Sequence, residues 1–450
     1  MESLTAVVLA AGQGTRMKSQ WPKVLHKVCG VPMAEQVIRT VKKAGSEKCV
    51  VVTGFKEELV RESLAGENIY FVHQEEQLGT AHAVMQAVPL FKDNRDGYVL
   101  VVCGDTPLLC RETIEGLVRA CRDHDGAAAV LTAIMDNPFG YGRVLRDAKG
   151  HMISIVEQKD GTPDQLAVHE INTGTYVFKT GALLDSLEKV DNKNAQGEYY
   201  LTDVFEILIK AGRKVIPVAA EDASETMGVN SRIQLAEADR ILRIRKAEDL
   251  MAAGVTVTDP YSTYIEQDVE VGQDTVILPG TMLQGKTKVG KNCTLGPDTQ
   301  LTDVICGDGN HLNRVYAHSC ELGDNNEIGP FVHLRPETCL HNDIKIGNFV
   351  EVKNSDVDDG TKLPHLIYVN FGCGTVTVNF DGKNKHRCTI DEHAFIGCNT
   401  NLVAPVHIGA RAFTAAGSTI TKDVPAKALA VGRAKQVNIE NWVKEDTYKD

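Results

Sequence analysis

No apolar run in the 450-residue sequence approaches the roughly 18–20 residues that span a bilayer. The first residues, MESLTAVVLAAGQGTR, carry Glu2 and no basic stretch ahead of the apolar run, which argues against a secretory signal. A basic surplus is missing too. Against 48 Lys+Arg stand 60 Asp+Glu, a formal net charge of −12. General nucleic-acid binding depends on Lys/Arg neutralising phosphates, so this chain fits it poorly, although a local basic pocket for a phosphorylated small molecule stays open. The twelve cysteines include no CxxC pair and no metal-like grouping with histidine, so they read as reduced, mostly buried thiols. These absences predict a cytoplasmic protein without a membrane span. What is present is globular: 43% hydrophobic and 24% charged residues, in a chain long enough for several domains at roughly 100–200 residues each.

The chain has two halves of different grammar. Up to residue 229, short β-branched runs (Thr5–Leu9, Cys49–Thr53, Tyr98–Val102, Ala128–Thr132, Thr175–Phe178) alternate with amphipathic stretches such as Ala34–Ala44 and Thr80–Val88. That alternation predicts an α/β, mostly parallel sheet with ligands at the carboxyl ends of its strands. Ser231–Ala253 reads as one long helix stopped by Gly254, so residues 230–254 form a connector. From 255 to 450 the period becomes six. Aliphatics recur at Val271, Ile277, Leu283, Val289, Leu295 and Leu301, again from Leu322 to Val352, and again at Ile390, Ile396, Leu402, Ile408 and Ile420. Neither a helix nor an alternating strand has that period. A triangular parallel β-helix does, each hexapeptide giving one face and one turn.

The first strand runs into Leu9-Ala10-Ala11-Gly12-Gln13-Gly14-Thr15-Arg16-Met17. Small residues let the backbone approach phosphates, and its amides complement their charge. The loop is no dinucleotide fingerprint, since Met17 replaces the third glycine, and it lacks the Gly-Lys-Ser/Thr of a P-loop. Arg16 and Lys23 supply cations suited to a triphosphate. Gln74 offers an amide for a base edge. Asp105 ends the Tyr98–Val102 strand, a fitting place for a Mg²⁺ ligand between nucleotide phosphates.

These motifs, with QLGTAHA, GYGR at 140–143, IVEQKD at 155–160, EINTG at 170–174, NAQGEYYLTD at 194–203 and GVN at 228–230, resemble the sugar-nucleotide pyrophosphorylases. With the hexapeptide half attached, nearly the whole chain resembles the bacterial bifunctional UDP-N-acetylglucosamine pyrophosphorylase/glucosamine-1-phosphate N-acetyltransferases. That resemblance implies a Rossmann-like nucleotidyltransferase sheet, a connector helix and a left-handed parallel β-helix carrying acetyl transfer, ending in a C-terminal tail. It implies that Leu9, Ala10, Ala11 and Gly12, with Gln74, Gly79 and Thr80, hold UTP. Arg16 and Lys23 would neutralise its phosphates, Gly142, Glu157 and Asn172 would hold N-acetylglucosamine 1-phosphate, and Asp105 with Asn230 would bind Mg²⁺. In the second half, Arg335 and Lys353 would take the sugar phosphate and His365 would be the general base, with Tyr368 beside it. Asn370, Cys373, Asn379, Phe380, Cys398, Ala416 and Arg433 fall at sugar or acetyl-CoA positions. Phe380 stands where the family usually has Tyr, and Cys398 where it often has Ser. A homotrimer and a part in peptidoglycan and cell wall biogenesis are implied as well, with small molecules as the other partners.

The chain departs from the family after Tyr368, where Val369 runs directly into Asn370-Phe371-Gly372-Cys373-Gly374, about nine residues short. A triangular coil takes roughly eighteen residues, so half a coil is missing. The closest rival reading is therefore a uridylyltransferase whose β-helix has lost acetyl transfer and serves only trimer assembly. A non-catalytic sugar-nucleotide sensor is a further alternative, which would predict loss of Arg16, Lys23 or Asp105; all three are present.

Overall fold

The computed structural model describes residues 3–365, 374–391 and 393–438, with the side chain of His365 outside the described set. The chain divides into two compact units, Met1–Arg245 and Lys246–Asp450.

The first unit is built on a nine-stranded sheet whose main path runs Val215–Ala219, Ala128–Ile134, Glu170–Lys179, Tyr98–Cys103, Leu4–Leu9, Lys48–Thr53, Tyr70–His73. The central strands are near-continuous runs of Val, Leu and Ala with almost every side chain buried, as expected of strands covered on both faces. Leu4–Leu9 lies parallel between Lys48–Thr53 and Tyr98–Cys103, so the loops after Leu9 and Cys103 leave the same sheet edge side by side. The Thr175–Phe178 run belongs to a longer strand, Glu170–Lys179, antiparallel to both neighbours. Its register shifts between Asn172 and Tyr176, a bulge that re-aims the residues beside it. Two apolar cores sandwich the sheet. One joins Val7, Val101, Phe178 and Phe205; the other joins Ala6, Val8, Ile38, Leu100 and Leu117.

The long helix spans Arg232–Ala252. Ala238 and Leu242 on its first turns are buried with Val28, Cys29, Met33, Leu108 and Val229, so this part of the helix is a piece of the first unit's core rather than a free spacer. The division of the chain therefore falls inside the helix, after Arg245, within the 230–254 stretch that the sequence marks as the connector.

The second unit is a left-handed parallel β-helix. Two- to four-residue strands stack in three ladders of seven, six and six strands, all parallel. The six-residue positions from Ile277 to Leu301 and from Leu322 to Val352 point inward and are buried. Between them the coils tighten: Val289 pairs with Cys306, and Leu301 with Ala317, so these coils lose one or two residues of the eighteen that separate Leu322 from Leu340. The inward series passes through Cys306, Leu312 and Ala317 and then resumes. The three ladders end at Lys362–His365, Val350–Val352 and Asp356–Val357. A second set of ladders begins at Val376–Val378, Cys388–Ile390 and Phe395–Ile396, with its own core around Ile396, Leu402 and Ile408. Among the described residues no strand of the second set pairs with one of the first. Tyr368, Asn370, Cys373 and the shortened stretch lie outside the described residues. No described helix is long and apolar enough to cross a membrane.

Candidate functional site

Two adjacent parallel strands deliver the centre of the first site. The Gly104 N–H donates to the Leu9 carbonyl at 2.9 Å, tying the Cys103-Gly104-Asp105 turn to the start of the Leu9–Met17 loop. The Val229 N–H donates to the Asp105 carbonyl at 2.9 Å, which brings Asn230 alongside. Lys23 completes the group: its ammonium is ion-paired with Asp105 and donates to Asn230 Oδ1 at 2.9 Å. Only 14% of the Lys23 side chain and 13% of that of Asp105 is exposed. Gly14 makes this possible. It sits at φ +68°, and a Cβ there would lie 2.5 Å from Lys23 Cβ. Arg16 lies exposed on the one-turn 3₁₀ helix that follows. Next to Asp105, burial pushes the Cys103 thiol up to about 12, which leaves it a neutral neighbour.

The residues around Gln74 close the rest of the loop. Gln74 is buried; its Nε2 donates to the Gly79 carbonyl at 3.1 Å and lies 3.1 Å from His82 Nδ1. Gly79 stands at φ +112°, and any Cβ would come within 2.5 Å of the Tyr199 carbonyl oxygen. The Leu201 N–H donates to Thr80 Oγ1 at 3.0 Å. Gln77, which the sequence reading gave no role, donates from Nε2 to the Ala11 carbonyl at 3.0 Å and so joins the two loops.

A second group lies at the bulged strand. Gly142 pairs directly with Asn172, and a Cβ on Gly142 would lie 3.4 Å from both Glu157 carboxylate oxygens. Both ends of the Asn172 amide are held, with Nδ2 donating to the Tyr176 hydroxyl at 2.8 Å and Oδ1 accepting from Gly174 N–H at 3.2 Å. Burial raises the Glu157 carboxyl above its ordinary value; nearby Asp160, Asp203 and Glu198 add to this, and the Thr202 hydroxyl, donating at 3.3 Å, opposes it. Tyr141 links the two groups. Its hydroxyl is hydrogen-bonded to the Gly228 backbone and lies in the field of Asp105 and Arg16, while burial raises its pKa. Beyond its place in the GYGR run, nothing in the sequence marked Tyr141.

In the β-helix, Arg335 and Lys353 occupy equivalent places on adjacent coils, since Leu334 pairs with Val352 and the Arg335 N–H donates to the Val352 carbonyl at 2.8 Å. Arg335 is ion-paired with Glu351 at 2.9 Å, and both side chains are well exposed. Such pairs are worth about 0–1 kcal/mol, so the guanidinium can exchange its partner for a phosphate at little cost. His365 is the last residue of its strand, in register with Asn348. Asn379, Phe380 and Asp381 open a tight hairpin in which Asp381 accepts from the Lys383 and Asn384 N–H groups at 2.8 and 2.7 Å and pairs with His386 at 2.8 Å. Those bonds hold its carboxyl well below the usual range. Further along, the Gly417 N–H donates to the Cys398 carbonyl at 2.7 Å and Arg433 Nη1 donates to the Ala416 carbonyl at 2.8 Å, so Cys398, Ala416 and Arg433 form one exposed strip.

Comparison with known proteins places these groups in context. Residues 5–228 match the family model of the nucleotidyl transferases. Over 447 residues the chain is 51% identical to the bifunctional protein GlmU of Geobacillus sp. strain WCH70, covering 97% of each. It is 48% identical over 453 residues to that of Listeria welshimeri, covering 99% of each. Against that of Caldanaerobacter subterraneus subsp. tengcongensis it is 48% identical over 457 residues, covering 99% of this chain and 98% of the relative.

Proposed function

The chain belongs to the family of bifunctional GlmU proteins, an enzyme with nucleotidyltransferase and acetyltransferase activity, and on that premise we propose how its residues divide the work. Acetyl transfer to glucosamine 1-phosphate comes first, and uridylyl transfer from UTP then makes UDP-N-acetylglucosamine. No observation favours the rival with an idle β-helix.

For uridylyl transfer, the observation that carries the reading is the convergence of Asp105, Asn230 and Lys23 beside the Leu9–Gly14 loop. Asp105 and Asn230 each bring an oxygen to the Lys23 ammonium, and two such oxygens suit a hard divalent cation such as Mg²⁺. Bound there by Asp105 and Asn230, Mg²⁺ would supply charge neutralisation to the nucleotide phosphates. Leu9–Gly12 hold the phosphates with backbone amides, Gln74, Gly79 and Thr80 shape the base side, and Arg16 and Lys23 neutralise the chain of charge. Gly142, Glu157 and Asn172 orient the sugar so that its 1-phosphate oxygen bonds to the α-phosphorus while the bond to pyrophosphate breaks. Positioning and electrostatics carry such a reaction, with no covalent intermediate on the protein. Asp105→Asn should lose several kcal/mol of transition-state stabilisation and its dependence on Mg²⁺. Pyrophosphate release that ignores both the substitution and a chelator would overturn the assignment.

For acetyl transfer, Arg335 and Lys353 hold the sugar phosphate and His365 takes the proton from the amine as it attacks the acetyl-CoA thioester, with CoA leaving as its thiol. The strip of Cys398, Ala416 and Arg433 receives acetyl-CoA, together with Asn379 and Phe380. The sites form in a homotrimer in the cytoplasm, where the product supplies cell-wall synthesis.

A further inference from the structure

Cys339 and His341 flank Leu340, whose side chain is buried in the β-helix core. Alternation along a strand therefore turns both outward on the same face. On the next coil Asp356 stands in register with Cys339, and the His341 N–H donates to the Val357 carbonyl at 2.9 Å, which fixes the two coils against each other at this point. The thiol sulfur, an imidazole nitrogen and a carboxylate oxygen of the three residues all lie within 4.8 Å of one another, and His341 Nε2 is 2.8 Å from Asp356 Oδ1.

We propose that Cys339, His341 and Asp356 bind one divalent cation of the zinc or cobalt(II) class and so clip two adjacent coils together. Sulfur, imidazole nitrogen and carboxylate oxygen are the donor set of tetrahedral zinc; magnesium and calcium prefer oxygen alone. A tetrahedral ion holds its ligand atoms roughly 3.5 Å apart, so the three groups close on it by about 1 Å of side-chain rotation. The fourth position faces solvent and takes water. Charge favours the ion as well. Glu321 stands in register with Cys339 on the preceding coil, and among the described residues neither Glu321 nor Asp356 is ion-paired with a lysine or arginine. Burial and these two carboxylates hold the thiol protonated, and a cation reverses that, releasing the proton to solvent on binding. The donor set differs from that at Asp105 and Asn230, so the site is distinguishable by spectrum.

The test uses the full-length protein, stripped with chelator and titrated with Co²⁺ in excess Mg²⁺ to fill all-oxygen sites. The expected result is a near-ultraviolet thiolate-to-cobalt band that saturates at one ion per chain and is displaced by Zn²⁺. Cys339→Ser should abolish the band. His341→Gln, which leaves the thiol in place, should weaken Co²⁺ binding by roughly tenfold or more. Each variant should keep its far-ultraviolet dichroism and uridylyl transfer. A wild-type protein without the band, or a band unchanged in folded Cys339→Ser, would overturn the proposal.

Discussion

Lys23 reaches Asp105 because Gly14 leaves it room, and this is where a single methyl group tells most. Gly14→Ala places a side chain at a left-handed φ, at about 1–2 kcal/mol, and drives its Cβ into Lys23. A shift of about 1 Å in the ammonium is expected to lower uridylyl kcat by roughly 10²-fold while the protein still folds; steady-state assays with a melting curve check both. Asp203 offers a pH test. Burial, and then Glu206, Asp191 and Asp160, raise its carboxyl from 3.8 to about 6. The folded state therefore holds this proton more tightly than the unfolded chain, and the stability so gained is full below pH 4 and lost as pH rises through about 6. Asp203→Asn mimics the protonated form, so it should raise the melting temperature at pH 7 and change nothing near pH 4. An equal shift at both pH values would refute the linkage. At this scale the motif residues were legible because small loops, cations and a strand-end carboxylate each imply a chemistry. The partners Gln77, Tyr141 and Tyr199 were not, since their roles come from loops that meet only in the folded chain. Cys339, His341 and Asp356 escaped for the same reason: the spacing between Cys339 and Asp356 has meaning only once the coil length is known.

The helix Arg232–Ala252 was visible as a periodic run with a glycine stop, but which side it served was not. Its first half buries Ala238 and Leu242 against Val28, Met33 and Leu108, and those partners lie too far back in the sequence for periodicity to pair them. A protein cut at residue 229 loses this packing, about 3 kcal/mol of apolar burial from Leu242 alone, and leaves an apolar patch open. A protein cut at 252 keeps it. The shorter chain is expected to aggregate or melt markedly lower, and the longer one to stay soluble with uridylyl transfer intact; equal stability of the two would show that the helix is a mere spacer. The six-residue period made the β-helix legible because only its inward position must be aliphatic. The tightened coils between Val289 and Leu322 were not, because a lost turn residue leaves the inward residues in place and only shortens the count between them. The antiparallel sense of Glu170–Lys179 was equally hidden, since a buried strand reads the same in either direction.

Across the whole molecule, two separate cores and two separate residue sets predict separable reactions. His365→Ala should cut CoA release by roughly 10²–10⁴-fold and leave uridylyl transfer untouched, while Asp105→Asn should do the reverse. Loss of both activities in either variant would mean that the units are not independent. The β-helix itself has a weaker half. In a stack of coils each repeat gains stability from its neighbours. Among the described residues the first set of ladders shares one continuous core from Leu250 to Leu363, whereas the second closes around far fewer buried side chains, from Ala394 to Val424. The described strands of the two sets do not pair, and the sequence between them includes the stretch after Tyr368 that is about nine residues short of the family pattern. With a smaller described core behind them, the amides of Asn401–Val403 and Val406–Ile408 are expected to exchange with solvent well before those of Val332–Leu334 and Val350–Val352. Adding after Val369 the half coil that the family pattern has there would supply the residues for a full turn of the stack. It should slow exchange in the last coils toward that of the first and raise acetyl transfer, because Cys398, Ala416 and Arg433 would then be held by the same stack as Arg335 and Lys353. Exchange rates equal in the two sets of strands in the native chain would show instead that the short segment carries the stack across unaided.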